Sequence, residues 1–429
     1  MSPSRSGSPL SPDRSGREWA ERLARVESRN ITFLEPAPPF WTEAAGARVR
    51  DAAGREYLDF TGAFGVAFAG HRHPLVVARI RAQAERLVHG MGDIHPPAVK
   101  VEFLEELAAL MPWPETRAIL GLSGSDAVEA ALKTAQLATG RPGVIAFKGG
   151  YHGLTLGALA TTHREHFRTP FVRRLAEHVH FVPFPSTVEE GEHVLDEVDQ
   201  RLGTGVPVPV GAVIVEPIQG RAGVRVPPPG FLADLAVRTG SRGALLIADE
   251  VFTGMGRTGA LLASQHDRVE PDLVCLGKAL GGGMPLSGCV GPAQVMDAWP
   301  PSTGEAIHTS TFLGHPICCA AGLGFLEALR NDDLVARAAR LGLQALDYLS
   351  EALDGSRGVV EIRGRGLMLG VELSRRRAAR VVRHALERGL ILLPAGQHGE
   401  VVELTPPATL TRDELESGLA ILVEAILES

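Results

Sequence analysis

Short, near-continuous apolar runs separated by helical stretches constrain this chain most. AVIVEP (212–217), ALLIADEV (244–251) and DLVCLG (272–277) each hold an unbroken apolar core. A strand with one wet face alternates, so a continuous run needs cover on both faces. Such runs with helices between them call for parallel crossovers. AILGL (118–122) and VIAF (144–147) extend the series, and Ser123-Gly124-Ser125 opens a helix predicted over 126–138. The expected fold class is α/β: a mostly parallel, doubly wound central sheet.

The rest of the chain frames that sheet. Residues 1–17 are Ser, Pro, Arg and Gly with almost nothing to bury, which reads as a disordered tail without the apolar stretch of a secretory signal. VRDAAGREYLDF (49–60) reads as a hairpin turning at Gly54. Helical spacing covers 73–90, with Gly90 as its stop, and 99–111. From about 316 the pattern is helical (317–330, 333–352) and ends in short strands near 359–363, 366–372 and 401–404. The expected division is a tail (1–17), an N-terminal segment joining the small domain (18–75), a large domain (76–315) and a smaller C-terminal α+β domain (316–429).

Composition narrows the function. With 429 residues, 45% of them hydrophobic, the chain can build a substantial core. A net charge of −7 disfavours a nucleic-acid binder, which would show a basic patch. No apolar run reaches the roughly 18 residues of a membrane span. Cys275, Cys289, Cys318 and Cys319 are too few for a disulfide framework and read as small buried hydrophobes in a reducing, cytoplasmic compartment. The fifteen histidines show no metal-ligand spacing, so no metal site is expected. His71 and His73 read as a turn feature.

In open parallel sheets, ligands bind beyond the carboxyl ends of the strands. Three such ends carry polar groups. The backbone N–H groups of Ser123-Gly124-Ser125 would hold a phosphate at a helix start. Asp249 puts a carboxylate at the end of a buried strand. Lys278 follows DLVCLG and precedes Ala-Leu-Gly-Gly-Gly. This lysine lacks the glycine and the Ser or Thr that a phosphate-binding P-loop needs around it. A phosphate cradle, a buried carboxylate and an amine together match pyridoxal 5'-phosphate. Such a lysine, with its pKa lowered by desolvation, can act as nucleophile and then as base.

A longer set of motifs runs in one order: DAAGREYLDFTGAFGVAFAGH (51–71), LSGSDAVEAA (122–131), FKGGYHG (147–153), VEPIQG (215–220), ALLIADEVFTGMGRTG (244–259), PDLVCLGKALGGGMPLSGCVG (271–291) and TSTFLGHP (309–316). Over roughly 30–425 the chain resembles the class III (subgroup II) pyridoxal-phosphate-dependent aminotransferases of fold type I. The resemblance implies that Lys278 carries the cofactor as a Schiff base and Asp249 pairs with the pyridine nitrogen. It implies that Val251 and Tyr151 flank the ring, and that Gly124 and Ser125 hold the phosphate. Thr311 would reach the partner subunit's cofactor, which implies a homodimer with shared sites. Phe64 falls where relatives place a substrate-contacting residue. Met91 and Asp93 could approach the pocket.

The departures concern the substrate. Many relatives have Gln where Phe252 stands, bonded to the cofactor's ring hydroxyl. Relatives acting on glutamate, 4-aminobutyrate or acetylornithine often carry arginines where Leu154 and Glu403 stand. Glu216 commonly pairs with the second of these, so two carboxylates are left without it. The expectation is that Arg221 or Arg225 compensates, or a cationic substrate group does. Glu403 argues against glutamate and 2-oxoglutarate bound in the usual way. The leading reaction is transamination between a small-molecule amine donor and a carbonyl acceptor. The alternatives are an amino-acid racemase or epimerase and a non-catalytic cofactor-binding protein.

Overall fold

The computed structural model describes residues 16–374 and 377–429. Most of the expected tail, 1–15, lies outside the described residues. Gly16 and Arg17 do not belong to a tail; they open a helix, Gly16–Ala24.

At the centre is a seven-stranded sheet. Its strands are β1 (Thr116–Gly121), β2 (Gly143–Phe147), β3 (Val179–Val182), β4 (Val210–Val215), β5 (Leu245–Asp249), β6 (Leu273–Leu276) and β7 (Ser287–Pro292). They lie in the order β1-β7-β6-β5-β4-β2-β3. All neighbours are parallel except β7, which runs antiparallel to β1 and β6. The apolar runs explain this placement. Every residue of β2, β4 and β6 is buried. Ile145, Phe147, Val213, Val215 and Leu246 share a core with helices Val188–Leu202 and Phe231–Ser241. Their alternates Val144, Ala146, Ala212, Ile214 and Ile247 share one with helix Gly124–Thr139. Both faces are thus covered, as a run without polar alternation requires.

Two smaller sheets flank the centre. The predicted hairpin is present: Arg48–Asp51 pairs antiparallel with Glu56–Asp59 around Gly54, whose φ is +83°. Trp41–Ala45 adds on one side, and Leu390–Ile391 adds in parallel on the other. The N-terminal segment is therefore tied to the C-terminal part of the chain. The other sheet is antiparallel and orders Val359–Arg365, Met368–Leu373, Val401–Leu404 and Leu393–Ala395.

Some boundaries move. The helix predicted over 73–90 runs only Pro74–Ala84. The Gln83 side chain donates to the Leu87 carbonyl, at 2.9 Å, and closes the chain off before Gly90. Helix Gly124–Thr139 begins earlier than predicted because Ser123 caps it. All four cysteines are buried free thiols. No described helix is long and apolar enough to cross a membrane.

Candidate active site

The carboxyl ends of β1, β5 and β6 meet on one edge of the sheet. Asp249 ends β5 and is buried. Its Oδ1 accepts the Val251 N–H at 3.1 Å, and its Oδ2 lies 2.7 Å from His152 Nδ1. Burial works against a charge on His152, but the bond to Asp249 and the charges nearby raise its pKa. No metal-ligand spacing and no turn motif marks this histidine in the sequence. Its partner is 97 residues away, and only the position of His152 beside Tyr151 in the glycine turn signals it.

Lys278 follows β6. Its φ is +45°, in the left-handed region, where a non-glycine residue costs about 1–2 kcal/mol. The amine rests on an aromatic face, with Nζ 3.8 Å from the Phe252 ring centroid. Burial lowers its pKa to about 8, opposed by Asp249, Glu216 and Glu403. Phe252 is itself clamped: a Cβ on Gly220 or Gly65 would lie 2.4 or 2.5 Å from its ring.

After β1, Ser123 and Asp126 form a capping box at the start of helix Gly124–Thr139. The Ser123 Oγ accepts the Asp126 N–H at 3.3 Å, and the Ser123 N–H donates to Asp126 Oδ2 at 3.0 Å. Ser123 is thus occupied by the cap, and the N–H groups of Gly124 and Ser125 stand at the helix start. A Cβ on Gly124 would lie 2.8 Å from Val251 Cγ1, and one on Gly153 would lie 2.0 Å from Ser125 Oγ. Ser125 Oγ accepts the Leu154 N–H at 3.1 Å. These contacts bring Gly124, Ser125, Val251 and the 151–154 turn together. Removing the cap with Ser123→Ala should destabilise the cofactor-free protein by about 1 kcal/mol. A urea midpoint unchanged from the parent would contradict the capping role.

The two carboxylates singled out by sequence are both buried here. Glu216 accepts the N–H groups of Tyr151 and Gly220, at 2.8 and 3.1 Å. Backbone donors, not an arginine side chain, satisfy it, and this corrects the expectation for Arg225. That guanidinium turns to Ser186 Oγ, at 2.6 Å. Arg221 instead stands over the Tyr151 ring, with Cζ 5.6 Å from the centroid. Glu403 lies on Val401–Leu404, in register with Gly370 and Leu393. Burial raises its pKa to about 7, opposed by Lys278, Arg221 and Arg257. Burial also raises Glu216 to about 7, opposed first by His152.

A proton held more tightly in the folded chain than in the unfolded one stabilises the fold at low pH. That stability drains away as pH rises from the ordinary 4.5 through about 7. Glu403→Gln should therefore melt a few degrees above the parent at pH 8 and close to it near pH 5. The same difference at both pH values would contradict the buried carboxyl's role.

The remaining candidates sit at the rim. Phe64 is 60% exposed in a turn of four consecutive positive φ values: Gly62 (52°), Ala63 (49°), Phe64 (61°) and Gly65 (82°). Asp59 anchors it by accepting from Thr61 and Ala63 N–H groups, and the buried Arg257 lies beneath, Nη2 3.4 Å from the Gly65 carbonyl. His71 also meets Asp59, at 2.8 Å, and so serves the turn, whereas His73 opens helix Pro74–Ala84 and meets Asp332, at 2.9 Å, at the end of helix Pro316–Asn331. Leu154 is exposed. Thr311 is exposed, in a segment tied by Thr309 Oγ1 to Asp93 Oδ2 at 2.9 Å. No contact within the described chain joins Thr311 to Lys278.

A buried amine, a buried carboxylate backed by histidine, a tyrosine ring and a helix start whose first residue, Gly124, has no room for a Cβ form a donor set that fits pyridoxal phosphate. Fold and site define a fold type I, pyridoxal-phosphate-dependent transferase. The model of the family described as Aminotransferase class-III matches residues 34–426, so the chain belongs to the class III aminotransferases. The acetylornithine aminotransferase of Methanopyrus kandleri is 40% identical over 404 residues, 94% of this chain and 98% of that one. The solved ornithine aminotransferase of Toxoplasma gondii superposes with a TM-score of 0.87 at 32% identity, covering 96% of this chain and 94% of that one. An alanine/serine racemase from Pyrococcus horikoshii is also similar, at a lower 32% identity over 97% of this chain and 92% of that one. The chain is a pyridoxal-phosphate-dependent aminotransferase.

Proposed function

We propose that Lys278 is the amine that holds the cofactor and moves the proton during transamination. The observation that carries this reading is the burial of Lys278 among the charges of Asp249, Glu216 and Glu403. When bound, pyridoxal phosphate supplies an aldehyde that takes an amine and a protonated pyridine ring that draws electrons from the substrate Cα. The chain does the rest. Asp249 would present a carboxylate to the pyridine nitrogen, and His152 fixes that carboxylate. Val251 and Tyr151 would flank the ring, while the Gly124 and Ser125 N–H groups would hold the phosphate. Phe252 lies against the Lys278 amine, and Glu216 holds the Tyr151 and Gly220 backbone in place. A Lys278 pKa near 8 leaves a useful neutral fraction near pH 7–8, so Nζ can accept the Cα proton and return it elsewhere.

The same reading gives a homodimer in which Thr311 reaches the partner's cofactor. Four free thiols support a reducing, cytoplasmic setting. The substrates are a small-molecule amine donor and carbonyl acceptor. Phe64, Leu154 and Glu403 line the approach.

Borohydride reduction of the cofactor-loaded protein, digestion and mass spectrometry test the central claim. The peptide bearing Lys278 should gain the mass of the reduced coenzyme; an unmodified peptide after saturation overturns it. Sedimentation should report two chains.

A further inference from the structure

A cleft of about 1010 Å³ opens beside Tyr151, between residues 163–166, the 221–226 loop and 397–400. Most of its charged groups have partners. Glu361 and Glu372 both meet Arg363 Nη1, at 2.6 and 2.5 Å. Glu190 accepts the Ser186 N–H at 2.7 Å. Glu400 accepts from the N–H groups of Gln397 and His398, at 3.1 and 2.6 Å. Arg225 is held by Ser186. Glu165 stands exposed.

Arg221 and Arg164 differ from the rest. Among the described residues neither guanidinium forms an ion pair, and Arg221 Nε is a buried donor with no acceptor. Both flank the cofactor-side tyrosine. Arg221 Cζ stands over its ring. The Phe167 ring, 5.6 Å from Tyr151, has Arg164 Cζ 5.8 Å from its own centroid. The two arginines are near enough that burial first, and then Arg221, lowers the Arg164 pKa. The charge of Arg221 also reaches Lys278 and Glu403.

The two half-buried cations repel each other, with Glu400 near Arg164 and Glu403 near Arg221 acting only through space and not as bonded partners, and a buried N–H without an acceptor loses its hydration for nothing. A planar carboxylate would cancel both penalties, because it matches the guanidinium fork. We propose that Arg221, backed by Arg164, binds the carboxylate of this enzyme's substrates, in place of the arginines expected at 154 and 403. Glu403 offers a substrate carboxylate no cation on its own side of the pocket, which leaves Arg221 to take it. The substrate class is an amino or oxo acid, not a simple amine. This rests on Lys278 as the reacting amine, because the clamp matters by setting the substrate against that residue.

Glutarate is the probe. Titrated into the cofactor-loaded and the cofactor-free parent by calorimetry, it should bind both. Arg221→Gln should weaken that binding about tenfold or more, Arg221→Lys should recover part of it, and Arg164→Gln should show a smaller loss. Arg225→Gln should bind as the parent does. In turnover, Arg221→Gln should raise KM for an amino-acid donor, with the larger part of the loss in KM and the smaller part in kcat. No glutarate binding by the parent, or parental affinity in both Arg221→Gln and Arg164→Gln, overturns the proposal. Glutarate binding to the cofactor-free protein does not depend on which lysine carries the coenzyme. An unmodified Lys278 peptide with normal loss at Arg221 therefore indicts the lysine assignment alone.

Discussion

Lys278→Ala should transaminate about 10⁴-fold more slowly than the parent. The loss is large because nothing in the site replaces the amine. Among the described residues, the lysine whose charge reaches the buried Glu403 is Lys278. Arg221 and Arg257 are guanidiniums, which do not give up a proton near neutrality, and His152 is committed to Asp249. An added small amine, such as methylamine, should restore part of the rate in the alanine variant, since the cavity left by the side chain admits it. Alanine inherits the positive φ of position 278 and with it some strain. Lys278→Gly removes that strain and serves as the folding control: it should melt like the parent and remain inactive. A rate within tenfold of the parent in either variant contradicts the assignment.

Asp249→Asn should lower kcat about 10²–10³-fold while leaving the fold in place. The substitution keeps the shape and deletes the charge. Two consequences separate it from a generic core defect. The His152 pKa, held up by its bond to Asp249, should fall, because burial then acts unopposed by that partner. That change is readable from the imidazole resonances without any turnover. The absorption band of the bound cofactor should also shift, because the ring nitrogen no longer meets a carboxylate. An unchanged His152 titration would show that the 2.7 Å contact does not govern the pair.

Sequence carried the central sheet because its strands are buried on both faces. β2, β4, β5 and β6 are apolar runs that water-facing strands do not show. β3 and β7 escaped notice for the opposite reason. VHFV is short, and SGCVGP holds two glycines and a proline, so pairing with β2 and with β1 and β6 decides their state. The chemistry at strand ends was legible wherever one local segment supplied it, as for Asp249, Lys278 and the Ser123 turn. What sequence could not supply was convergence across the chain. The His152–Asp249 bond is one instance. The backbone satisfaction of Glu216 is another, because main-chain donors leave no trace in residue identity. Arg221 and Arg225 looked equivalent as letters four apart, and only the fold sends one to Tyr151 and the other to Ser186.

The left-handed turn at 62–65 limits how this enzyme can be re-engineered. Phe64 is the exposed residue an engineer would randomise first, yet its φ of 61° excludes branching at Cβ. A saturation library at that codon should therefore return soluble clones skewed toward Gly, Asn and unbranched side chains, with Val, Ile and Thr depleted regardless of their fit to a ligand. Gly62 and Gly65 tolerate still less, since a methyl at either would strike the Thr405 carbonyl or the Phe252 ring. Breadth of acceptance at this rim is thus rationed by backbone handedness before side-chain volume is consulted.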